Sequence, residues 1–167
     1  MKIGIIGCGY VGLTTGVCLA ELGHNVVCVD NDEEKIKKLI SGKTPIFEPG
    51  LEKLTKKNKK KIKYSSDIKD AVVGNEIIFI AVGTPSNPDG SPDLSYIENV
   101  AREIAKYLTE YKVIVEKSTV PVETAEWIKK TIQRYKKNNV EFDIVSNPEF
   151  LREGSAIKDF LEPDRIV

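Results

Sequence analysis

Three glycines, Gly7, Gly9 and Gly12, lie between a short apolar run (Lys2–Ile6) and a helix-like stretch (Tyr10–Leu22). That spacing suits a phosphate-binding turn. In a right-handed β-α-β unit the first glycine permits a tight turn and the second lets the backbone approach a pyrophosphate. The third packs the helix on the strand. The amides of Tyr10 and Val11 then face the phosphates with the helix dipole behind them, and no cationic side chain is needed. The next apolar run, Asn25–Val29, ends at Asp30, eighteen residues past Gly12. A carboxylate there accepts hydrogen bonds from an adenosine ribose diol. It would repel a 2′-phosphate, and Asn31-Asp32 brings no arginine to offset that, so NAD is expected rather than NADP. Lys35, one turn on, can support Asp30 or meet a phosphate. The plainer reading is a strand–helix turn with Asp30 capping the next helix. It loses ground once strand, helix and acid occur together.

Three later apolar runs also end in polar, proline-containing segments. One enters Gly83-Thr84-Pro85-Ser86-Asn87-Pro88-Asp89-Gly90-Ser91-Pro92-Asp93, far longer than the usual connection of about two to six residues. Another ends Glu116-Lys117-Ser118-Thr119-Val120-Pro121, and the last ends Ser146-Asn147-Pro148-Glu149-Phe150-Leu151-Arg152-Glu153-Gly154. Any one is ordinary loop chemistry. Open parallel sheets, however, bind ligands outside the carboxyl ends of their strands, so all three would share one edge with the glycine turn.

The elements that must position these groups are legible as alternating strands and helices. Strands are expected at Lys2–Ile6, Asn25–Val29, Lys61–Tyr64, Glu76–Val82, Val113–Glu116 and Phe142–Ser146. Most are continuous Val/Ile/Phe runs, as for strands covered on both faces. Helices are expected at Tyr10–Leu22, after the acidic turn Asp32-Glu33-Glu34, from Ser95, and from near Pro121 to about Lys137. Ser95-Tyr96-Ile97-Glu98 matches a capping box with Ser95 bonded to the Glu98 amide. The alternation predicts an α/β fold: a Rossmann-type, doubly wound parallel sheet in three layers.

Composition excludes several classes. Of 167 residues, 41% are hydrophobic, and Lys plus Arg balance Asp plus Glu at 25 each, so no net charge draws the chain to nucleic acid or membrane. A cytoplasmic protein is expected. Cys8, Cys18 and Cys28 lack ligand-type spacing and His24 is the one histidine, so neither a metal site nor a disulfide framework is expected. The cysteines read as buried apolar or loop residues, Cys8 being where a bulky side chain would crowd a cofactor. The lysine run Lys56–Lys61 reads as a solvated turn. Residues Glu162–Val167 read as a turn entering a new strand, so residues 1–167 are expected to be the N-terminal dinucleotide-binding domain of a longer chain.

The segments Gly7–Gly12, Phe47–Leu51, Gly83–Pro85, Asp89-Gly90, Lys117–Pro121 and Asn147–Gly154 resemble the UDP-glucose/GDP-mannose dehydrogenase family, in the expected order along the whole chain. The ending Pro163–Val167 leans toward the branch acting on UDP-glucose. One departure is Glu123, where the family usually places glycine. The resemblance implies oxidation of a nucleotide sugar's primary alcohol to a carboxylate with two NAD, through a cysteine-bound thioester that water hydrolyses. It implies that Asp30 and Lys35 hold the adenosine ribose, that Gly83, Thr84, Pro85, Ser118 and Thr119 line the nicotinamide half, and that Glu153 contacts NAD. Glu149, assisted by Thr119 and Glu153, would serve the chemical steps, and Glu149, Phe150, Leu151, Arg152 and Glu153 would border the sugar. A helical turn would place Glu149 and Glu153 on one face and an extended loop would not. The family's nucleophilic cysteine and C-terminal nucleotide-sugar domain fall beyond Val167, and the full-length form is expected to be a homodimer. The competing readings are a dehydrogenase of 3-hydroxyacid or 6-phosphogluconate type and a non-catalytic NAD-sensing module.

Overall fold

The continuous apolar runs become the six strands of one sheet in the computed structural model, which describes residues 1–167. In chain order the elements are β1 (Lys2–Ile6), α1 (Tyr10–Glu21), β2 (Asn25–Val29), α2 (Glu33–Ile40), α3 (Leu51–Lys57), β3 (Ile62–Ser65) and α4 (Ile68–Val72). They continue with β4 (Ile77–Ile80), α5 (Ser95–Tyr107), β5 (Lys112–Glu116), α6 (Thr124–Tyr135), β6 (Phe142–Ser146) and α7 (Ala156–Leu161). All strands run parallel in the order β3-β2-β1-β4-β5-β6.

Helices cover both faces, which is why these strands carry apolar side chains without alternation. On one face Ile3, Ile5, Val26 and Cys28 pack with Leu13, Val17, Leu39 and Leu51 from α1, α2 and α3. On the other Ile6, Ile78, Ile80 and Ile114 pack with Ala71, Ile97, Ile104, Ile128 and Ile132 from α4, α5 and α6. The strand order reverses between β1 and β4, so the connections leaving their carboxyl ends go to opposite faces and open a crevice. The three-layer, doubly wound fold expected from the sequence is present.

Several local expectations need correction. β4 is shorter than expected, running from Ile77 to Ile80, with the Ala81 amide making a last bond to the Ile6 carbonyl at 2.8 Å before the chain leaves the sheet. Helix α6 stops at Tyr135, two residues early. Ser95 does not cap α5. It is the first helical residue, Leu94 holds the cap position, and the Glu98 amide bonds to the Leu94 carbonyl at 3.0 Å. The side-chain acceptor is Asp93, whose Oδ1 takes the Ser95 amide at 2.9 Å. An ionised carboxylate is the stronger acceptor. Residues 162–167 form no strand. Pro163 lacks a ladder donor, and the Val167 carbonyl is held by Asn147 Nδ2 at 2.6 Å.

The lysine run is more than a solvated turn. Lys57 Nζ and Asn58 Nδ2 meet Glu21 at 2.5 and 2.7 Å, and Lys61 Nζ reaches the Ala20 carbonyl at 3.3 Å. Cations thereby gather at the carbonyl end of α1, where the helix dipole favours them.

Candidate functional site

The turn after β1 divides its glycines by role. Gly7 has φ +101, and a Cβ there would lie 2.4 Å from the Ala81 carbonyl oxygen. A Cβ on Gly12 would lie 1.9 Å from the Gly7 carbonyl oxygen, so helix and turn touch backbone to backbone. A Cβ on Gly9 would meet nothing within 4 Å. The turn is thus pinned to the sheet at Gly7 and Gly12 and open at Gly9. Gly9 also begins α1 with no side-chain cap, which leaves the first-turn amides of Tyr10 and Val11 for an anionic ligand.

Asp30, only 8% exposed, closes the neighbouring side of the crevice. Its Oδ2 accepts the Cys8 amide at 2.8 Å and Lys35 Nζ at 2.7 Å, while Oδ1 accepts the Asp32 amide at 3.0 Å. Lys35 reaches it because Asp32 starts α2, its Oδ1 accepting the Lys35 amide at 3.0 Å. The acid is therefore fixed in place before any ligand arrives. Cys8 is the small buried residue expected between the two glycines. Its side chain is fully buried against α1 and β2, and the neighbouring Cys28 and burial push its thiol up.

A cleft of about 530 Å³ runs from this turn along the sheet edge. It is lined by Gly7, Gly9, Asp30, Lys35, Gly83 and Pro85 from the expected set. Ser66, Ile68, Tyr96 and Asn99, for which sequence reasoning found no site role, add further lining. Their only signal is topological, since each lies within two residues before, or in the first turns of, α4 or α5. The open Gly9 face, the uncapped helix and the prearranged carboxylate fit a dinucleotide.

A second cleft, about 750 Å³, adjoins the ends of β5 and β6 and is lined by Lys117, Asn147, Glu149, Phe150, Leu151 and Arg152 among others. Lys117 is buried, and its Nζ donates to Asn147 Oδ1 at 3.2 Å. Burial lowers its pKa, opposed by the charges of Glu149 and Glu116. Glu116 is buried with one carboxylate oxygen unpartnered, and burial raises it to about 7. Thr84 Oγ1 donates to the Thr119 carbonyl at 2.8 Å. Ser118 is buried and Thr119 is exposed, and none of the three lines either cleft.

Not all expected residues converge. Arg152 spends its guanidinium on Asp159, with contacts of 2.7 and 3.1 Å. Residues 147–152 are irregular and 153–155 form a turn, so Glu149 and Glu153 share no helical face. Glu149 instead accepts the Leu151 amide at 2.5 Å. Glu153 is exposed and lines neither cleft, although its charge helps raise the Tyr10 phenol. Sequence reasoning gave no role to Glu48, which the structure buries against Tyr10. No cluster of side chains is arranged to hold a metal ion, and no helix is long and apolar enough to cross a membrane.

A parallel 3-2-1-4-5-6 sheet with an open glycine turn and a buried acid at the end of β2 beside its reversal point defines a dinucleotide-binding domain of the dehydrogenase type. The profile of the UDP-glucose/GDP-mannose dehydrogenase family, NAD binding domain, matches residues 1–167, and the chain belongs to that family. It is 53% identical over 170 residues to a UDP-glucose 6-dehydrogenase of Rhizobium meliloti (strain 1021), covering 100% of this chain and 39% of that relative. Among solved structures it is similar to a UDP-glucose dehydrogenase from the hyperthermophilic archaeon Pyrobaculum islandicum. The TM-score is 0.94 at 39% identity, over 99% of this chain and 39% of the other. A GDP-mannose dehydrogenase from Pseudomonas aeruginosa, solved as a ternary complex, gives 0.86 at 41% identity over 96% of this chain and 38% of the other. The chain thus spans about two-fifths of the length of these relatives.

Proposed function

We propose that this chain binds NAD in the β1–β4 crevice and serves the oxidation of a nucleotide sugar, UDP-glucose, to its uronate. The observation that carries the reading is the open Gly9 face beside a prearranged Asp30–Lys35 pair. Similarity to UDP-glucose 6-dehydrogenases along its whole length supports the choice of sugar. When bound, NAD supplies the hydride acceptor for alcohol oxidation. The chain's own residues do the rest. Tyr10 and Val11 amides meet the diphosphate, Asp30 takes the ribose hydroxyls with Lys35 bonded beside it, and the Thr84–Thr119 bond stiffens the edge beneath the nicotinamide half.

Glu149, beside buried Lys117, is the group we assign to activating or orienting a water. Phe150, Leu151 and Arg152 form the rim for the sugar, with Arg152 contributing through backbone and stem because its head is taken by Asp159. Glu153 is assigned to the cofactor side, next to Tyr10. Cys8, Cys18 and Cys28 are all fully buried, and burial raises the Cys18 thiol to about 12, so none offers an accessible thiolate. The 167-residue chain is therefore expected to bind NAD without oxidising a sugar nucleotide. In the longer protein we place the reaction in a cytoplasmic homodimer.

Titration calorimetry of the chain with NAD and NADP tests the cofactor half of this reading, and equal affinity for the two would refute the role of Asp30. NADH formation by the longer protein across a panel of UDP- and GDP-sugars tests the substrate half. Turnover fastest with a sugar other than UDP-glucose would replace the assignment.

A further inference from the structure

Glu48 lies in the connection between α2 and α3, beside Phe47, which is 90% exposed, yet Glu48 itself is only 5% exposed. Both carboxylate oxygens are occupied. Oε2 accepts the Tyr10 hydroxyl at 2.5 Å and the Gly154 amide at 2.8 Å, and Oε1 accepts the Ala156 amide at 2.9 Å. Without such donors a buried carboxylate would be strongly unfavourable, so this set of partners fixes where the loop can lie.

The three donors come from two functional regions. Tyr10 is the first residue of α1, whose N-terminus has no side-chain cap, and its amide is one of those assigned above to the diphosphate. Gly154 lies in the 147–155 segment, which carries Glu149 and Glu153, and Ala156, directly after it, is the first residue of α7. Tyr10 Oη also lies 3.2 Å from the Arg152 carbonyl, within the same segment. Burial, then the bond to Glu48, push the phenol above its ordinary value, so it remains a proton donor at neutral pH. Glu48 lines neither cleft, so any influence it has on the chemistry passes through these bonds.

We infer that Glu48 is a positioning residue: with Tyr10 it joins the dinucleotide turn to the 147–155 segment, so that filling the turn orders the segment bearing Glu149 and Glu153. The inference rests on the NAD reading above. A carboxylate that only capped α7 would hold the segment equally with or without cofactor, and equally with or without the Tyr10 hydroxyl. Linkage makes the coupling reciprocal, so a ligand bound at 147–155 should tighten NAD.

Hydrogen exchange of the chain, free and at NAD concentrations shown by calorimetry to saturate each variant, separates the two. In the native chain NAD should slow exchange across residues 150–156 by roughly tenfold. Tyr10→Phe should bring that NAD-dependent slowing below about twofold while the β-strand amides stay as protected as before. Glu48→Gln, which cannot accept both amides and the hydroxyl, should raise exchange at Gly154 and Ala156 even without NAD. Should Glu48→Gln fail to fold, Tyr10→Phe carries the test by itself. Saturation by NAD with 150–156 unmoved, or undiminished slowing in Tyr10→Phe, would overturn this inference and leave the functional reading intact. No calorimetric binding of NAD would remove both.

Discussion

The Cys8 amide donates to Asp30 Oδ2 at 2.8 Å, which locks the acid at the end of β2 to the glycine turn after β1. On the reading proposed above, cofactor selectivity would rest on a carboxylate that is oriented by the turn it helps to complete. Asp30→Ala removes the ribose acceptor and leaves Lys35 without its partner. Hydrogen bonds to a charged group contribute about 1.5–3 kcal/mol, so NAD affinity should fall roughly 10- to 100-fold. NADP should lose less, because the freed ammonium can meet a 2′-phosphate. Calorimetry with both cofactors reads the change in their ratio, and an unchanged ratio would contradict the assignment.

Gly9 and Gly12 make opposite predictions from one motif. A methyl on Gly9 enters open space at φ −74, a backbone any residue adopts. Gly9→Ala should change unfolding free energy by under about 0.5 kcal/mol, the poorer N-cap being offset by the lower entropy of the unfolded chain, while weakening NAD more than tenfold, since the methyl would occupy the diphosphate's approach. Gly12→Ala drives a methyl into the Gly7 carbonyl and should cost about 1–3 kcal/mol of stability before any ligand is added. Urea unfolding paired with calorimetry checks both.

Glu123 is the one non-glycine residue with positive φ, at +74, and it caps α6 without a side-chain hydrogen bond. The left-handed region disfavours a residue with a Cβ by roughly 1–2 kcal/mol, partly offset by glycine's larger unfolded-state entropy. Glu123→Gly should therefore raise unfolding free energy by about 0.5–1 kcal/mol. A lower urea midpoint would show that the Glu123 side chain contributes more than its backbone costs.

The sheet and cofactor turn were legible because their signals are local. Continuous Val/Ile runs mark doubly covered strands, and Gly7, Gly9, Gly12 and Asp30 are spaced by the geometry of a single β-α-β unit. Glu48 was not legible, since its partners Gly154 and Ala156 lie more than 100 residues away and are backbone amides that carry no sequence signal. The helix start at Ser95 misled for a related reason. Asp93, two residues earlier, accepts the Ser95 amide, which places Ser95 inside the helix and leaves the Glu98 amide to the Leu94 carbonyl. Arg152 looked free to meet substrate, and only the packing of α7 shows it committed to Asp159. Wherever a residue's role depended on which distant backbone folds over it, the sequence offered residue types without partners.

Glu116 makes stability depend on pH near neutrality. It is buried at the end of β5 with Oε1 unpartnered, and burial raises its carboxyl from 4.5 to about 7, opposed by the Ser118 amide and the Lys117 charge. In the unfolded chain this proton leaves near 4.5, while in the folded chain it stays until about 7. Between those values the folded state binds more protons, so this group's contribution falls as pH rises, is fully unfavourable above about 7 and vanishes below about 4.5. The penalty is at most about 3 kcal/mol. Glu116→Gln removes the charge at every pH and keeps the shape. The stability of the Gln variant minus that of the native chain should grow by about 2–3 kcal/mol between pH 5 and pH 8. Taking the difference cancels carboxylates whose shifts run the other way, such as Asp159, which Arg152 holds well below its ordinary range. A difference that stays flat across that interval would mean that the Glu116 carboxylate finds a donor or water in solution and carries no buried charge.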